Sequence, residues 1–325
     1  MKKGFISFVA VIASVKRKRL VCASLYLMSC LTITLAQEKL SFSPELGAKW
    51  EFQTDVVQNI KQTANGREMT REEKVVTTYL MSIKSRNAKE TEVQLTYQDI
   101  SYVMTSPMAV WGYDSKKPFE NPTNRDGANE RIASLDKMHE RIFGSAIGKT
   151  ITVAIAPDGS VNSVSGIETI AESITQAIAN DGEMGASLGS TMIKQFFTEN
   201  AMKELIEQSW KIYPVADVKV GDSWNMENKW GDPSQITSTK SKCVLKRLRG
   251  GIALVGVESA VEVDMTGMKL TGYQSGNLQI NLKTGMPVLS LWTRNVKGDV
   301  VTMGMNMVME ENHRTRMTTN AVKDK

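Results

Sequence analysis

Four methionines alternate near the end of the chain, in Thr302-Met-Gly-Met-Asn-Met-Val-Met309. Side chains on a strand repeat every two residues, so Met303, Met305, Met307 and Met309 would share one face. Thioether sulfur is a soft ligand, and a row of such groups could hold copper(I). Methionine is also flexible and polarizable, which suits an adaptable wall beside an apolar ligand. The opposite face carries Thr, Gly, Asn and Val, as the solvent side of an ordinary strand would. Three readings stand together: plain core packing, a ligand-lining wall and a copper site. Other chemistry is poorly supplied. The chain has only two histidines, His139 on a charged stretch and His313 in a polar tail, and both read as solvated. Cys243, beside Lys242, falls on a predicted strand and reads as a buried structural thiol. No catalytic residue, metal ligand or cofactor is expected.

Two motif sets look catalytic until their context is considered. Ser134-Leu-Asp-Lys137, Ser160-Val-Asn162 and Lys283-Thr-Gly285 repeat, in order, the signature of penicillin-recognising serine hydrolases. That chemistry needs a serine activated by the lysine one turn later, inside a buried helix. Here the helix is weakly apolar, Ser160 sits in a Pro-Asp-Gly-Ser turn, and Lys283-Thr-Gly reads as a hairpin turn. The hydrolase is therefore kept as a remote alternative. Gly144-Ser-Ala-Ile-Gly148-Lys149-Thr150 approximates a phosphate-binding loop. It lacks one spacer residue and runs helix to strand, the reverse of the strand–loop–helix order that presents a helix N-terminus to phosphate.

The N-terminus reads as an export signal. Lys16, Arg17, Lys18 and Arg19 precede the apolar run Leu20 to Leu35, and Thr34-Leu35-Ala36 ends in a small residue suited to cleavage. The expected cut follows Ala36. Two alternatives are lipidation at Cys30, in Leu27-Met28-Ser29-Cys30, and an uncleaved anchor. A second apolar run behind Lys2-Lys3 suggests a start assigned too early. Residues 1–36 hold six basic and no acidic residues, so their removal takes the formal charge from +5 to −1. The basic balance thus belongs to the leader and gives no ground for a nucleic-acid partner. The stretch Lys240 to Arg249 has no interleaved aromatic for base stacking and reads as an exposed strand. Two of the three cysteines, Cys22 and Cys30, also lie in the leader, which leaves no internal disulfide.

The rest of the chain has to position whatever site there is. Trp50, Phe52, Thr54 and Val56 alternate with Glu51, Gln53 and Asp55, the mark of a half-buried strand. Asn65-Gly66 is a hairpin signal. Further strands are expected at 75–83 and 92–104, completing an N-terminal meander over 46–105. Pro107, Pro118 and Pro122 mark a loop over 106–127. A helical middle spans 128–213, with a capping box at Ser165–Glu168 and an apolar stripe Ile167, Ile170, Ile174, Ile178. A C-terminal meander spans 220–312, with turns at Gly231-Asp232-Pro233, Gly250-Gly251, Thr284-Gly285 and Lys297-Gly298-Asp299. Its strands are expected near 235–248, 252–264, 268–282, 287–296 and 300–310. Residues 313–325 read as a polar tail. The fold class is α+β: one domain over 37–312, its curved, mostly antiparallel, half-barrel-like sheet built from both ends of the chain, with the central helices on the concave face.

The segments "LGAKWEF", "YDSKKP", "GKTITVAIAPDGSVNSVSGIE", "ENAMKELIEQSWKIYPVADVKVGDSWN" and "GNLQINLKTGMPVLSLW" occur in this order. Together they resemble a family of secreted or lipoprotein-like proteins of Bacteroidota known only as a domain of unknown function. The most specific piece is Glu199 to Asn225. The resemblance implies export and a single extended domain, and it transfers no catalytic residue. The strand–helix–strand plan also looks like the half-barrel sheets of lipoprotein carriers, an analogy of architecture alone.

These readings converge on an exported, non-enzymatic protein of the periplasm, the outer-membrane region or the extracellular space. Its expected partner is a lipid or other apolar small molecule, with the methionine face as the ligand wall. Membrane association is expected only through a retained or lipidated leader. The rival is a structural or interaction protein of the envelope with a filled core.

Overall fold

Hairpin signals and period-two patterning dominate the sequence, and twelve strands result among the described residues. The computed structural model describes residues 37–123, 130–232, 235–265, 268–302 and 305–322, and Glu38–Lys325 forms one compact unit. The N-terminal strands are β1 (Lys49–Ala64), β2 (Arg67–Arg86), β3 (Thr91–Thr105) and β4 (Val110–Asp114). Helix α1 (Glu130–Gly144) leads to β5 (Thr150–Ile155) and β6 (Val161–Ser165), followed by α2 (Ile167–Ala177), α3 (Gly182–Phe196) and α4 (Glu199–Trp210). Strands β7 (Ser223–Asp232), β8 (Gln235–Arg249), β9 (Ile252–Met265), β10 (Met268–Asn281), β11 (Pro287–Thr302) and β12 (Met305–Ala321) complete the chain.

All twelve strands lie in one sheet of order β6-β5-β3-β2-β1-β12-β11-β10-β9-β8-β7, with β4 added on β3. The pairings are antiparallel. The α+β class and a mostly antiparallel sheet joining both ends of the chain are as expected. The junction is β1 against β12, from Trp50↔Ala321 to Ala64↔Met307. Asn65 and Gly66 both take positive φ, 51° and 74°. That is the two-residue turn whose twist matches its strands, and it fixes the β1–β2 register at Ala64↔Arg67.

Several expectations are corrected. The 313–325 tail is instead largely strand: His313 to Ala321 belong to β12 and pair with β1. Charged Arg314 and Arg316 alternate there with buried Thr315 and Met317, and their polarity hid the period of two. Lys297-Gly298-Asp299 is no turn but the interior of β11. Gly298 is required by close approach, because a Cβ there would meet the Lys269 carbonyl at 2.0 Å. The 106–127 loop contains β4. The capping box at Ser165–Glu168 does not form. Ser165 is still paired in β6, and the N-cap of α2 is Gly166 at φ 86° with no side-chain cap bond.

The main core lies between the helices and one face of the sheet. The stripe Ile167, Ile170, Ile174 and Ile178 is buried as expected. Trp210, at the end of α4, stacks on Phe42 at 5.1 Å and meets Phe52 edge-on at 5.7 Å. Such aromatic pairs add about 0.5–1.5 kcal/mol each beyond the area they bury.

Candidate functional site

Helix α4 lies against both edges of the sheet. Thr198 caps it, its hydroxyl accepting from the Ala201 N–H. Two turns on, Glu207 is 1% exposed. Its Oε1 accepts the Val161 backbone N–H of edge strand β6 at 2.8 Å. Its Oε2 accepts the Trp230 indole N–H of the opposite edge strand β7 at 2.8 Å. One carboxylate therefore ties together the two ends of an eleven-strand path. Lys203 and Lys211 approach the same carboxylate at 4.0 and 3.8 Å. Gly159, at φ 83°, packs the β5–β6 turn onto the end of α4, where a Cβ would meet the Trp210 carbonyl at 1.6 Å.

A polar belt crosses the helix-bearing face. Cross-strand partners run Glu73–Gln58–His313–Arg294–Gln274–Ser259–Ser241 over β2, β1, β12, β11, β10, β9 and β8. Helix α4 reaches the belt. Gln208 donates to Gln274 at 3.4 Å, and Ser209 accepts from the Trp292 indole at 3.1 Å. Glu204 lies 3.6 Å from Arg294, whose other partner, Glu311, is at 2.8 Å. Gln195 of α3 donates to Glu73 at 3.1 Å. Burial raises the Glu204 carboxyl, while Arg294 opposes the rise and Glu311 adds to it. Burial, with Arg294 nearby, pushes the His313 imidazole down to about 3, so it is neutral near pH 7. Arg294 Nε, His313 Nδ1, Ser290 Oγ and Asn228 Oδ1 are buried without a hydrogen-bond partner among the described residues.

Beyond the belt lies a second apolar cluster, separate from the main core. Val261, Val263, Leu270 and Val296 form its centre, with Met265, Met268 and Met309 packed against them. Three of the expected ligand-lining methionines fall on β12. Met309 joins this cluster, Met307 pairs with Ala64 and Val300, and Met305 pairs with Thr302. Met303 lies outside the described residues, as do Ala36 and Cys30. The single strand expected over 300–310 is in fact divided, because β11 ends at Thr302 and β12 starts at Met305.

The histidine expectations are corrected. His139 is fully buried, its Nδ1 2.8 Å from the Leu135 carbonyl and its ring stacked 5.2 Å from Tyr102. Burial lowers its pKa. The charged residues around it in sequence occupy the other face of α1. Cys243 is buried as expected, and burial pushes its thiol up to about 12. The hydrolase-like motifs are not bonded to one another. Ser134 and Lys137 are exposed on α1, Ser160 Oγ donates to Asp158 at 3.0 Å, and Lys283 pairs with Glu45 at 2.7 Å. Among the described residues no group of three His, Cys, Asp or Glu side chains is arranged to hold a metal ion. No described helix is long and apolar enough to cross a membrane. Sequence reasoning missed Glu207, Arg294 and Glu311. Arg294 and Glu311 each stand at a position of the inward period, the signal that marks a buried charge.

The model of a family of unknown function, DUF6263, matches residues 88–287, from the turn before β3 to the first residue of β11. The chain belongs to the DUF6263 family. Within the DUF6263 match fall Glu204, Glu207, Trp230 and Gln274, whereas Arg294, Glu311 and His313 follow it in the chain. Comparison with curated proteins finds no significant match. Among solved structures, DynF of the dynemicin biosynthesis pathway of Micromonospora chersina is 9% identical. That alignment covers 90% of this chain and 88% of DynF, with a TM-score of 0.18. The translocator domain of the autotransporter NalP from Neisseria meningitidis is 7% identical, with 95% and 97% covered and a TM-score of 0.21. TM-scores this low carry no argument about fold or function.

Proposed function

We propose that this protein is an exported, non-enzymatic binding protein that takes up an apolar or lipid-like ligand in the cell envelope. The ligand sits on the concave, helix-bearing face of the sheet, at the hairpin ends beyond the polar belt. The observation that carries this reading is the second apolar cluster around Leu270, set apart from the main core and edged by Met265, Met268 and Met309. Methionine suits a wall that must adapt to a ligand. The belt supplies polar groups for the ligand's head, Arg294 and His313 among them. The bond of both sheet edges to Glu207 favours a half-barrel with α4 at its seam. The leader's basic n-region and apolar run favour export to the periplasm, the outer-membrane region or the cell exterior.

A specific observation favours the rival, a structural protein of the envelope. The end of the same face nearest Trp210 is already filled, with Phe52, Ile174 and Trp210 all at 0% exposure. The two readings separate by organic extraction and native mass spectrometry of purified protein. The binding reading expects a co-purifying apolar molecule, lost in Met309→Asp at unchanged melting temperature. Protein that carries none, and binds an environment-sensitive apolar dye equally well as wild type and Met309→Asp, overturns it. The remote hydrolase reading loses support from the separate partners of Ser160 and Lys283. Labelling by a fluorescent penicillin would restore it.

A further inference from the structure

The other face of the sheet, which bears no described helix, carries two adjoining grooves of about 700 and about 380 Å³ that meet at Ser275. Their lining follows the strand period. Lys240 and Lys242 face the larger groove, while Ser241 between them points to the buried side. The same alternation holds for Arg314 and Arg316 around Thr315 in the smaller groove. The two form one trough across β7, β8, β9, β10, β11, β12 and β1. Seven strands at about 4.8 Å spacing give a length of roughly 29 Å.

The charge along this trough is uneven. Lys240 and Lys242 stand across the strands from Glu227 and Glu258, so the charges at that end cancel on balance although no ion pair joins them among the described residues. Arg314 and Arg316 are exposed, and neither makes a hydrogen bond or ion pair among the described residues. Their cross-strand neighbours are Val57 and Thr293 for Arg314, Asp55 and Leu291 for Arg316. Asp55 offsets one of these two charges and no acidic partner stands opposite Arg314, so the positive excess of the trough lies on β12, where the two arginines occupy alternate positions whose backbones are about 7 Å apart. Between the two ends stand Ser275, Thr293 and Asn277, with the 62% exposed ring of Tyr273 beside them.

We infer that this trough binds an extended acidic oligosaccharide, with a carboxylate held by Arg314 and Arg316 and a sugar ring laid on Tyr273. Guanidinium forks match carboxylates in a bidentate way. Hydroxyl and amide side chains exchange hydrogen bonds with sugar hydroxyls, and a tyrosine ring offers a rigid amphipathic platform. A nucleic acid is disfavoured, since it requires basic groups in register with a repeating phosphate and more than one stacking ring. An anionic membrane surface is disfavoured too, because it selects clusters of four to eight basic residues.

The test is calorimetric titration of the purified protein with a hexamer of galacturonic acid and with maltohexaose as the neutral control. The acidic hexamer binds, the neutral one binds at least about tenfold more weakly, and 0.5 M salt weakens the acidic ligand selectively. Arg314→Ala and Arg316→Ala each weaken the acidic hexamer about tenfold, and Tyr273→Ala weakens both hexamers. All three positions are exposed, so melting temperatures stay at the wild-type value. Equal affinity of wild type and the arginine variants overturns the inference. So does displacement of the hexamer by millimolar sulfate, which marks a simple anion patch, or binding confined to vesicles of anionic phospholipid. The apolar-ligand reading stands on the opposite face, and neither result decides the other.

Discussion

Replacing Glu207 with Ala should destabilise the protein at both edges of its sheet at once. The carboxylate accepts two hydrogen bonds at 2.8 Å, from the Val161 N–H and the Trp230 indole, and is 1% exposed. A hydrogen bond to a charged group contributes about 1.5–3 kcal/mol. Lys203 and Lys211 add little, being 4.0 and 3.8 Å away and partly exposed. Recovered desolvation of the carboxylate offsets part of the loss, so Glu207→Ala should cost about 3–5 kcal/mol. Glu207→Gln keeps an acceptor for one donor and turns an amide N–H toward the other, at about half that cost. Trp230→Phe removes one donor and should cost about 1–2 kcal/mol. A double-mutant cycle between Glu207 and Trp230 should return a coupling of about 1–3 kcal/mol. Urea unfolding followed by tryptophan fluorescence gives these values. Hydrogen exchange gives their location, since peptides from β6 and β7 should lose protection together. A Glu207→Ala variant within about 1 kcal/mol of wild type, or faster exchange at one edge alone, would refute the idea that this carboxylate closes the seam.

Three other outcomes follow from buried groups. His139 and His313 both titrate lower in the folded protein than the usual 6.5, His313 at about 3. The unfolded chain therefore binds more protons as the pH falls, and their contribution is full above about 6.5 and declines below it, that of His313 being lost toward pH 3. A urea midpoint profile from pH 7 to 4 should fall, and His313→Gln should flatten it; an unchanged slope refutes the assignment. Gly276→Ala would place a Cβ 2.3 Å from the Trp292 ring and push the indole off Ser209, costing about 1–3 kcal/mol with a shift in tryptophan emission. The Cys243 thiol, buried and pushed up to about 12, should resist a thiol-reactive disulfide at pH 8 until denaturant unfolds the chain.

Local signals were legible where local chemistry decides the structure. Asn65-Gly66 specifies its own turn, and the isoleucines of α2 specify their own buried face. The second half of the last strand was not legible, because Glu310 to Arg316 is dense in charge and its outward half masks Glu311, Thr315 and Met317 within. Nor was Glu207, for a related reason. Lys203, Glu207 and Lys211 stand at i, i+4 spacing, which in isolation reads as a solvent-exposed ladder on a helix. Only the curvature of the open sheet, bringing β6 and β7 to one helix from opposite ends of its order, turns that carboxylate inward. His139 shows the same limit: its charged neighbours in sequence are not its neighbours in space.

The polar belt is the least economical part of the fold, and that bears on what the interior is for. Buried hydroxyl, amide and charged groups stabilise less than well-packed apolar side chains of similar volume. Partly satisfied networks are costly, and Arg294 Nε and His313 Nδ1 lack partners among the described residues. A sheet selected only for stability would carry valine or leucine at Gln274, Ser259 and Ser241, as it does one pair of rows away at Leu278, Val255 and Leu245. The belt divides one continuous face into a filled half under Trp210 and a smaller apolar patch around Leu270. An amphiphilic ligand needs that division, with hydrogen-bonding groups where the head must stop and apolar wall where the tail must lie. In a purely structural core the belt would serve only to fix α3 and α4 on the sheet, through Gln195–Glu73, Glu204–Arg294 and Gln208–Gln274. The arrangement of the belt, more than the methionines that first suggested a ligand, therefore favours a binding protein.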